Sequence, residues 1–123
     1  MKKVLIVDDS AVVRNFHGSI LKSAGFSVET AIDGADALEK SFRNNYDVIL
    51  TDLNMPNMDG LTFVRKYREE NKDTPIIIIS TQEEALHKIK GYEVGANLYI
   101  VKPVKPKTLI KHIKMICGDS EVN

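Results

Sequence analysis

Five short apolar runs, each followed by a segment with helical periodicity, constrain the fold of this 123-residue chain more than any other feature. The runs are Lys3–Val7, Ser27–Ala31, Asp47–Thr51, Pro75–Ser80 and Asn97–Val101. The first, third and fourth are almost continuously apolar, which is typical of strands buried on both faces of a parallel sheet. The sequence therefore predicts five strands.

The intervening segments repeat apolar residues every three or four positions, as helices packed on a sheet do. The predicted helices are Ser10–Ala24, Gly34–Arg43, Gly60–Glu70, Glu83–Val94 and Pro106–Cys117. In the second helix the predicted apolar stripe joins Ala35, Leu38 and Phe42. The fourth helix has a weaker stripe through Leu86 and Ile89.

Alternating strands and helices predict a parallel sheet with right-handed crossovers. Five units cannot close an eight-stranded barrel, so we expect an open, doubly wound α/β sheet. The chain is long enough for one core and too short for two. We predict one domain over residues 1–118 and a short tail over residues 119–123, with no attached output domain.

Composition excludes several classes of protein. Hydrophobic residues make up 43% and charged residues 28% of the chain, as in an ordinary globular protein. No apolar stretch approaches the roughly 18 residues that a membrane span needs. Lys2 and Lys3 precede an apolar run that is too short for a signal peptide. The single Cys117 cannot form an internal disulfide, so we expect a cytoplasmic protein.

The net charge of zero hides an asymmetry between the two ends of the chain. Between Leu86 and Gly118 one acid, Glu93, stands against seven lysines: Lys88, Lys90, Lys102, Lys105, Lys107, Lys111 and Lys114. These lysines form either two solvated helix faces or a docking surface for an acidic partner. A neutral chain with few aromatic residues in this segment disfavours nucleic acid.

Polar residues end four of the predicted strands. Asp8 and Asp9 follow the first strand, Asp52 the third, Ser80 the fourth and Lys102 the fifth. Each has a local alternative, such as a helix cap, a turn residue or a solvated lysine. Parallel strands place all of their carboxyl ends at one edge of the sheet, where open α/β proteins bind ligands. The convergence of all five side chains favours a functional site.

Three carboxylates in one site repel one another, by about 4 kcal/mol per pair at 4 Å in a medium of effective dielectric 20. A divalent cation relieves this repulsion, and oxygen ligands favour Mg²⁺. A carboxylate beside Mg²⁺, a lysine and a hydroxyl is suited to accept a phosphoryl group. The sequence therefore predicts Mg²⁺-assisted phosphoryl chemistry.

Four segments carry a family resemblance: VDDS at 7–10, DLNMPNMDG at 52–60, IIIIST at 76–81 and VKP at 101–103. In order and spacing they resemble the receiver domains of bacterial response regulators, particularly the stand-alone chemotaxis type. The resemblance spans residues 2–117. It implies a flavodoxin-like fold with strand order 2-1-3-4-5, and a cis peptide bond between Lys102 and Pro103.

The resemblance also implies the role of each site residue. Asp52 would be the phosphoacceptor, with Ser80 and Lys102 contacting the phosphoryl oxygens. The implied Mg²⁺ ligands are Asp9, Asp52 and the backbone carbonyl of Asn54, with Asp8 acting through water.

Further residues are implied to control switching. Ser80 and Tyr99 would be the switch residues, with the Tyr99 ring turning inward on activation, although Tyr99 also fits a packing role in an edge strand. Asn54 and Gln82 would tune autodephosphorylation. Thr81 is larger than the Ala or Gly common at its position and would narrow access to the phosphate.

The function implied is that of a monomeric signalling switch that catalyses only its own phosphorylation and dephosphorylation. A histidine kinase would be the phosphodonor. An output protein, such as a flagellar motor switch component, would dock on the lysine-rich surface of residues 86–118.

Three alternatives remain at this stage. The first is a single-domain phosphorelay intermediate. The second is a Mg²⁺-dependent aspartyl-phosphate phosphatase, although Asn54 stands where such enzymes of the haloacid dehalogenase type carry a second aspartate. The third is a flavin-binding protein, which Asp8 and Asp9 disfavour because they would repel a phosphate. We place His17, His87 and His112 on helix surfaces.

Overall fold

In a computed structural model, which describes residues 1–82 and 85–118, five parallel strands pair in the order β2-β1-β3-β4-β5. The strands are β1 (Lys3–Val7), β2 (Ser27–Ala31), β3 (Val48–Thr51), β4 (Ile76–Ser80) and β5 (Leu98–Val101). The predicted flavodoxin-like order is confirmed, and three strands begin one residue later than predicted.

Five helices alternate with the strands: α1 (Ala11–Ser23), α2 (Gly34–Arg43), α3 (Gly60–Glu70), α4 (Ala85–Val94) and α5 (Pro106–Ile116). The bounds of α2 and α3 are those predicted. The predicted start of the fourth helix, Glu83, and the predicted tail over residues 119–123 lie outside the described residues. None of the described helices is long and apolar enough to cross a membrane.

The sheet is buried on both faces. Ile76 and Ile78 pack into one hydrophobic cluster with residues of α2 and α3, whereas Ile77 and Ile79 pack into another with residues of α1 and α5. Successive strand residues point to opposite faces, so a strand covered on both sides carries no polar alternation. This geometry explains the continuous apolar runs and fixes the carboxyl ends of the strands at one edge.

In two helices the predicted apolar stripe does not match the residues that are buried. In α2 the fully buried residue is Ala37, whereas Ala35 and Phe42 are exposed and Leu38 is half-buried. The small side chain of Ala37 lets the helix lie close to the sheet, which a stripe of large residues would not. In α4 the side chains of Leu86 and Ile89 are more than half exposed.

The prediction that His17 lies on a helix surface is wrong. His17 is only 6% exposed, because it shares the buried stripe of α1 with Leu21, four residues on. Burial, and then the nearby Lys102, lower the pKa of the His17 imidazole, with Asp8 opposing. The ring is therefore favoured in its neutral form.

One edge of the sheet is formed by β5, which α4 covers closely. A Cβ atom added at Gly91 would lie 3.0 Å from Ile78 Cδ1 and 3.2 Å from Tyr99 Cδ2, so α4 lies close to both strands. The backbone N–H of Tyr99 donates a hydrogen bond of 3.1 Å to the hydroxyl of Tyr92 in α4. Helix α4 thus contacts the outer edge of β5 through a side chain.

Candidate functional site

Three aspartates meet where β1 and β3 end. Val7 and Thr51 pair in the parallel ladder, so Asp8 and Asp52 follow directly on adjacent strands. The N–H of Asp52 donates to the Val7 carbonyl at 2.8 Å, which continues the ladder into the site. One carboxylate oxygen each from Asp8, Asp9 and Asp52 lies within 4.8 Å of the others.

Lys102 reaches these carboxylates from β5. Its Nζ lies 3.0 Å from Asp8 Oδ2 and 3.5 Å from Asp52 Oδ2, and only 17% of its side chain is exposed. Its N–H donates to the Ser80 carbonyl at 2.8 Å, and the predicted cis bond to Pro103 is confirmed. Lys102 is therefore a member of the site rather than a solvated lysine.

The surroundings of Asp52 disfavour the charged form of its carboxyl. Burial raises the pKa of the Asp52 carboxyl, and the charge of Asp8 raises it further. Lys102 and the N–H of Leu53, which donates to Asp52 Oδ1 at 2.7 Å, act in the opposite direction. Because burial outweighs them, additional positive charge beside Asp52 would stabilise its carboxylate.

This donor set fits Mg²⁺. All three side chains offer oxygen, the ligand atom that Mg²⁺ prefers. Exposure increases from buried Asp8 through half-buried Asp52 to exposed Asp9, so one side of the cluster opens to solvent. An open side leaves room for the waters that Mg²⁺ retains.

The carboxylate of Asp8 is occupied on both oxygens. Oδ1 accepts from the N–H of Ser10 at 2.9 Å, and Oδ2 accepts from Lys102. Arg14 was not predicted to contact the site, but its Nη1 donates to the Asp8 carbonyl at 2.7 Å. No periodicity marks that contact, since it joins a helix side chain to a loop backbone.

A chain of hydrogen bonds joins Ser80 and Tyr99, the predicted switch residues. The hydroxyl of Ser80, which is fully buried, accepts from the N–H of Gln82 at 3.1 Å. The hydroxyl of Tyr99 donates to the Gln82 carbonyl at 2.6 Å. Tyr99 is only 8% exposed, so its ring lies inward in this structure. The turn of the ring on activation stays a prediction.

The remaining predicted site residues lie at the rim. Asn54 and Thr81 are exposed, and Gln82 is half-buried. Asn54 belongs to the loop that joins β3 to α3, directly after Asp52 and Leu53. The predicted site residues therefore lie at the carboxyl edge of the sheet, except Tyr99, which lies within β5 opposite Ile78.

The raised pKa of Asp52 predicts the stability of Asp52→Asn in the absence of Mg²⁺. Between the ordinary carboxyl pKa and the raised one, the folded state binds more protons than the unfolded state, so the wild type loses stability as the pH rises. Asp52→Asn has no carboxyl to deprotonate, so it does not lose this stability. It should be more stable than the wild type at pH 7 by about 1 kcal/mol, a size common for single stabilising substitutions.

Urea unfolding with EDTA at pH 7 and pH 3.5 measures this difference, which should shrink at the lower pH. Asp47→Asn is the matched control, because Asp47 precedes the same strand at its other end and accepts a 2.7 Å bond from the Lys3 N–H. An Asp52→Asn protein less stable than wild type at pH 7 would contradict the electrostatic argument.

Comparison with known proteins identifies the class that this fold and site define. The family model of the response regulator receiver domain matches residues 4–114. The chain belongs to this family, the receiver domains of two-component signalling.

Individual solved structures are similar to this chain over most of its length. The chemotaxis response regulator CheY4 of Vibrio cholerae is 42% identical, with a TM-score of 0.90 over 94% of this chain and 98% of that one. TrrA of Thermotoga maritima, solved in complex with Mg²⁺ and BeF, is 30% identical, with a TM-score of 0.87 over 94% of this chain and 99% of that one.

The transcriptional regulatory protein ResD of Bacillus subtilis is 37% identical over 114 residues, 93% of this chain and 47% of that protein. The chain spans about half the length of the curated relatives it matches.

Proposed function

We propose that this chain is a cytoplasmic switch that accepts a phosphoryl group from a histidine kinase on Asp52 and then binds an output partner differently. The observation that carries the proposal is the meeting of Asp52 with two further aspartates and Lys102 at one sheet edge. One carboxylate oxygen of Asp52 attacks the phosphorus of a phosphohistidine on the kinase. The bond from phosphorus to the histidine nitrogen breaks, and its electron pair stays on that nitrogen, so the ring, protonated at its other nitrogen, leaves as neutral histidine. The product is an aspartyl phosphate.

Each neighbour of Asp52 has a part in this step. When bound by Asp9, Asp52 and the Asn54 carbonyl, Mg²⁺ would neutralise charge on the transferring group. Asp8 would act through water, which fits the occupation of both of its oxygens. Lys102, already 3.5 Å from Asp52, would turn from the carboxylates to a phosphoryl oxygen.

The Mg²⁺ assignment predicts that Asp9→Ala lowers the affinity for the ion. Asp9 is the exposed carboxylate of the cluster and lies at its open side. We expect a loss of at least about tenfold, since even outer partners of metal ligands cost 10–100-fold. A Mg²⁺ titration followed by amide NMR measures it, with exposed Asp73→Ala as the control. Unchanged affinity in Asp9→Ala would remove Asp9 from the ligand set.

The hydrogen-bond chain from Ser80 to Tyr99 supports a route for the switch. The Ser80 hydroxyl can donate to a phosphoryl oxygen. Its movement would disturb the hydrogen bond that it accepts from the Gln82 N–H. The Gln82 carbonyl accepts a hydrogen bond from the hydroxyl of Tyr99 in β5. A change at the phosphate would therefore reach β5, and α4 through Tyr92.

Energetics limit how complete the switch is. Moving a population from 1:99 to 99:1 takes about 5.5 kcal/mol of differential stabilisation. A hydrogen bond from a hydroxyl to a charged group contributes roughly 1.5–3 kcal/mol. Contacts of Lys102 and Mg²⁺ must supply the rest, so we expect a partial shift with some active form present beforehand.

The output surface combines lysines with unburied apolar side chains. Lys90, Lys105, Lys107 and Lys111 are exposed, and four large apolar residues of α4 and α5 are 47–68% exposed: Leu86, Ile89, Tyr92 and Met115. Such a surface suits an acidic partner with an apolar anchor. The 42% identity to a chemotaxis regulator favours a chemotaxis partner such as a flagellar motor switch component.

A second candidate is the receiver portion of a transcriptional regulator. The 37% identity to ResD, over about half of that protein, supports it. In both candidates the chemistry at Asp52 is the same, and the output differs.

Beryllofluoride with Mg²⁺, which mimics the phosphoryl group, tests the switch. We expect amide NMR shifts to change across residues 80–114, well beyond the residues that contact Asp52, and Asp52→Asn to show none of these changes. Shifts confined to the neighbourhood of Asp8, Asp9 and Asp52 would instead favour a passive phosphate carrier in a phosphorelay.

A further inference from the structure

Two loops at the carboxyl edge are joined by hydrogen bonds, although neither partner belongs to the acidic cluster. Asp33, in the loop between β2 and α2, accepts from the Asn57 side-chain amide at 2.8 Å. The next residue, Gly34, donates its N–H to the Met58 carbonyl at 3.0 Å. Asn57 and Met58 belong to the loop that runs from Asp52 to α3.

Asp33 is a rigid and charged anchor. It is 5% exposed, and its second oxygen caps α2 by accepting the Asp36 N–H at 2.8 Å. The amide of Asn57 is the main cause that holds the pKa of the Asp33 carboxyl below its ordinary value, followed by the Asp36 N–H. The bond to Asn57 is therefore charge-assisted and links the loop to a packed helix.

The approach of the two loops requires glycine at position 34. A Cβ atom there would lie 2.7 Å from the Met58 carbonyl oxygen and 2.8 Å from Met58 Cγ. Asn57 itself has a φ of 67°, in the left-handed region that few residues adopt without support. The Asn57 side chain and the Met58 backbone thus hold the loop between Asp52 and α3 at two adjacent residues.

The loop is also fixed at its first residues. Leu53 donates its N–H to Asp52 Oδ1 at 2.7 Å and accepts the Gly60 N–H at 2.8 Å. Asn54 follows Leu53 directly, Met55 packs against the core, and the hydrogen bonds to the neighbouring loop come at Asn57 and Met58. The position of the Asn54 backbone therefore depends on the contacts on either side of it.

We propose that Asp33 and Gly34 are positioning residues that hold the loop carrying Asn54 in the geometry needed to bind Mg²⁺ beside Asp52. This inference rests on the proposed function, in which the Asn54 carbonyl is a ligand. Asp33 and Gly34 contact neither the ion nor the phosphoryl group and act through Asn57 and Met58.

The test uses Asn57→Gly, which removes the amide donor while tolerating a positive φ. We expect about tenfold weaker Mg²⁺ binding, as for other partners that orient metal ligands. Gly34→Ala should weaken it as well, by displacing the Met58 carbonyl. In metal-free protein both variants should shift the amide NMR signals of Asn54 and Met55.

Tyr46→Phe is the matched control. It removes a 2.6 Å hydrogen bond to the Glu29 carboxylate, at the opposite end of the sheet. Urea unfolding places the variants on one stability scale, so a loss of Mg²⁺ affinity can be separated from a loss of stability. A double variant, Asp33→Ala with Asn57→Gly, should bind Mg²⁺ no more weakly than Asp33→Ala alone, because both remove the same contact.

The inference is overturned if Asn57→Gly and Gly34→Ala bind Mg²⁺ as the wild type does, or if Tyr46→Phe weakens binding equally. Mass spectrometry after acetyl phosphate treatment separates a failure of the positioning role from a failure of the proposed function. A wild type that binds Mg²⁺ but gains no phosphoryl group would overturn the proposed function, while weaker Mg²⁺ binding by Asn57→Gly would still support the positioning role. A wild type that binds no Mg²⁺ overturns both.

Discussion

With acetyl phosphate and Mg²⁺, the wild-type protein is expected to gain one phosphoryl group, and Asp52→Asn is expected to gain none. Asp52 is the half-buried carboxylate beside both Lys102 and the other two aspartates. An amide at this position cannot form the acyl phosphate, so the expected effect is complete loss. Intact mass measures it, with EDTA added to a parallel sample to show the dependence on Mg²⁺.

Asp47→Asn controls for the loss of a carboxylate near β3, since Asp47 lies at the far end of that strand. It should be phosphorylated like the wild type. Phosphorylation of Asp52→Asn at the wild-type rate would show that another residue is the acceptor.

The second large effect is expected for Lys102→Gln. Lys102 is the cation that contacts both Asp8 and Asp52, and its charge would stabilise the phosphoryl group in transfer. Removing one such group typically costs about 10²–10³ in rate. The rate of phosphorylation by acetyl phosphate measures this loss at saturating Mg²⁺.

Lys105→Gln is the matched control, because Lys105 is an exposed lysine three residues further along the same loop. A similar loss of rate in both variants would point to the general charge of the surface. Wild-type transfer by Lys102→Gln would exclude the lysine from the chemistry.

The strands were predictable because burial on both faces leaves continuous apolar runs, whereas their order was implied by the resemblance to receiver domains. Four consecutive isoleucines in β4 leave no polar face, which only a sheet covered on both sides accommodates. Parallel topology then brings the ends of distant strands together, so Asp8, Asp52 and Lys102 could be placed at one edge before any contact was known.

The phase of the helices was harder to predict, since it depends on close approach rather than on hydrophobicity. Ala37 faces the core because a small residue lets α2 lie near the sheet, while the larger Phe42 is 59% exposed. His17 lies four residues before Leu21 on the buried side of α1, so it is buried although its polarity suggested the surface. Periodicity reports which residues are apolar, not how near a helix lies to its sheet.

Contacts between loops left no signal in the sequence. Asp33 and Asn57 are 24 residues apart, and each has an ordinary local role as a cap or a turn residue. Their bond depends on the crossing of two turns at the sheet edge. Such contacts follow from the assembled fold and cannot be read from spacing.

The hydroxyl of Tyr92 also bears on self-association. An edge strand presents every second N–H to its surroundings, and such groups are templates for strand addition and aggregation. In β5 the N–H of Tyr99 is one of these, and Tyr92 occupies it at 3.1 Å. If α4 moves when the protein is switched on, this donor is uncovered beside the exposed Leu86 and Ile89. The active form would then carry an open strand edge, and a bound partner would protect it from pairing with a second copy.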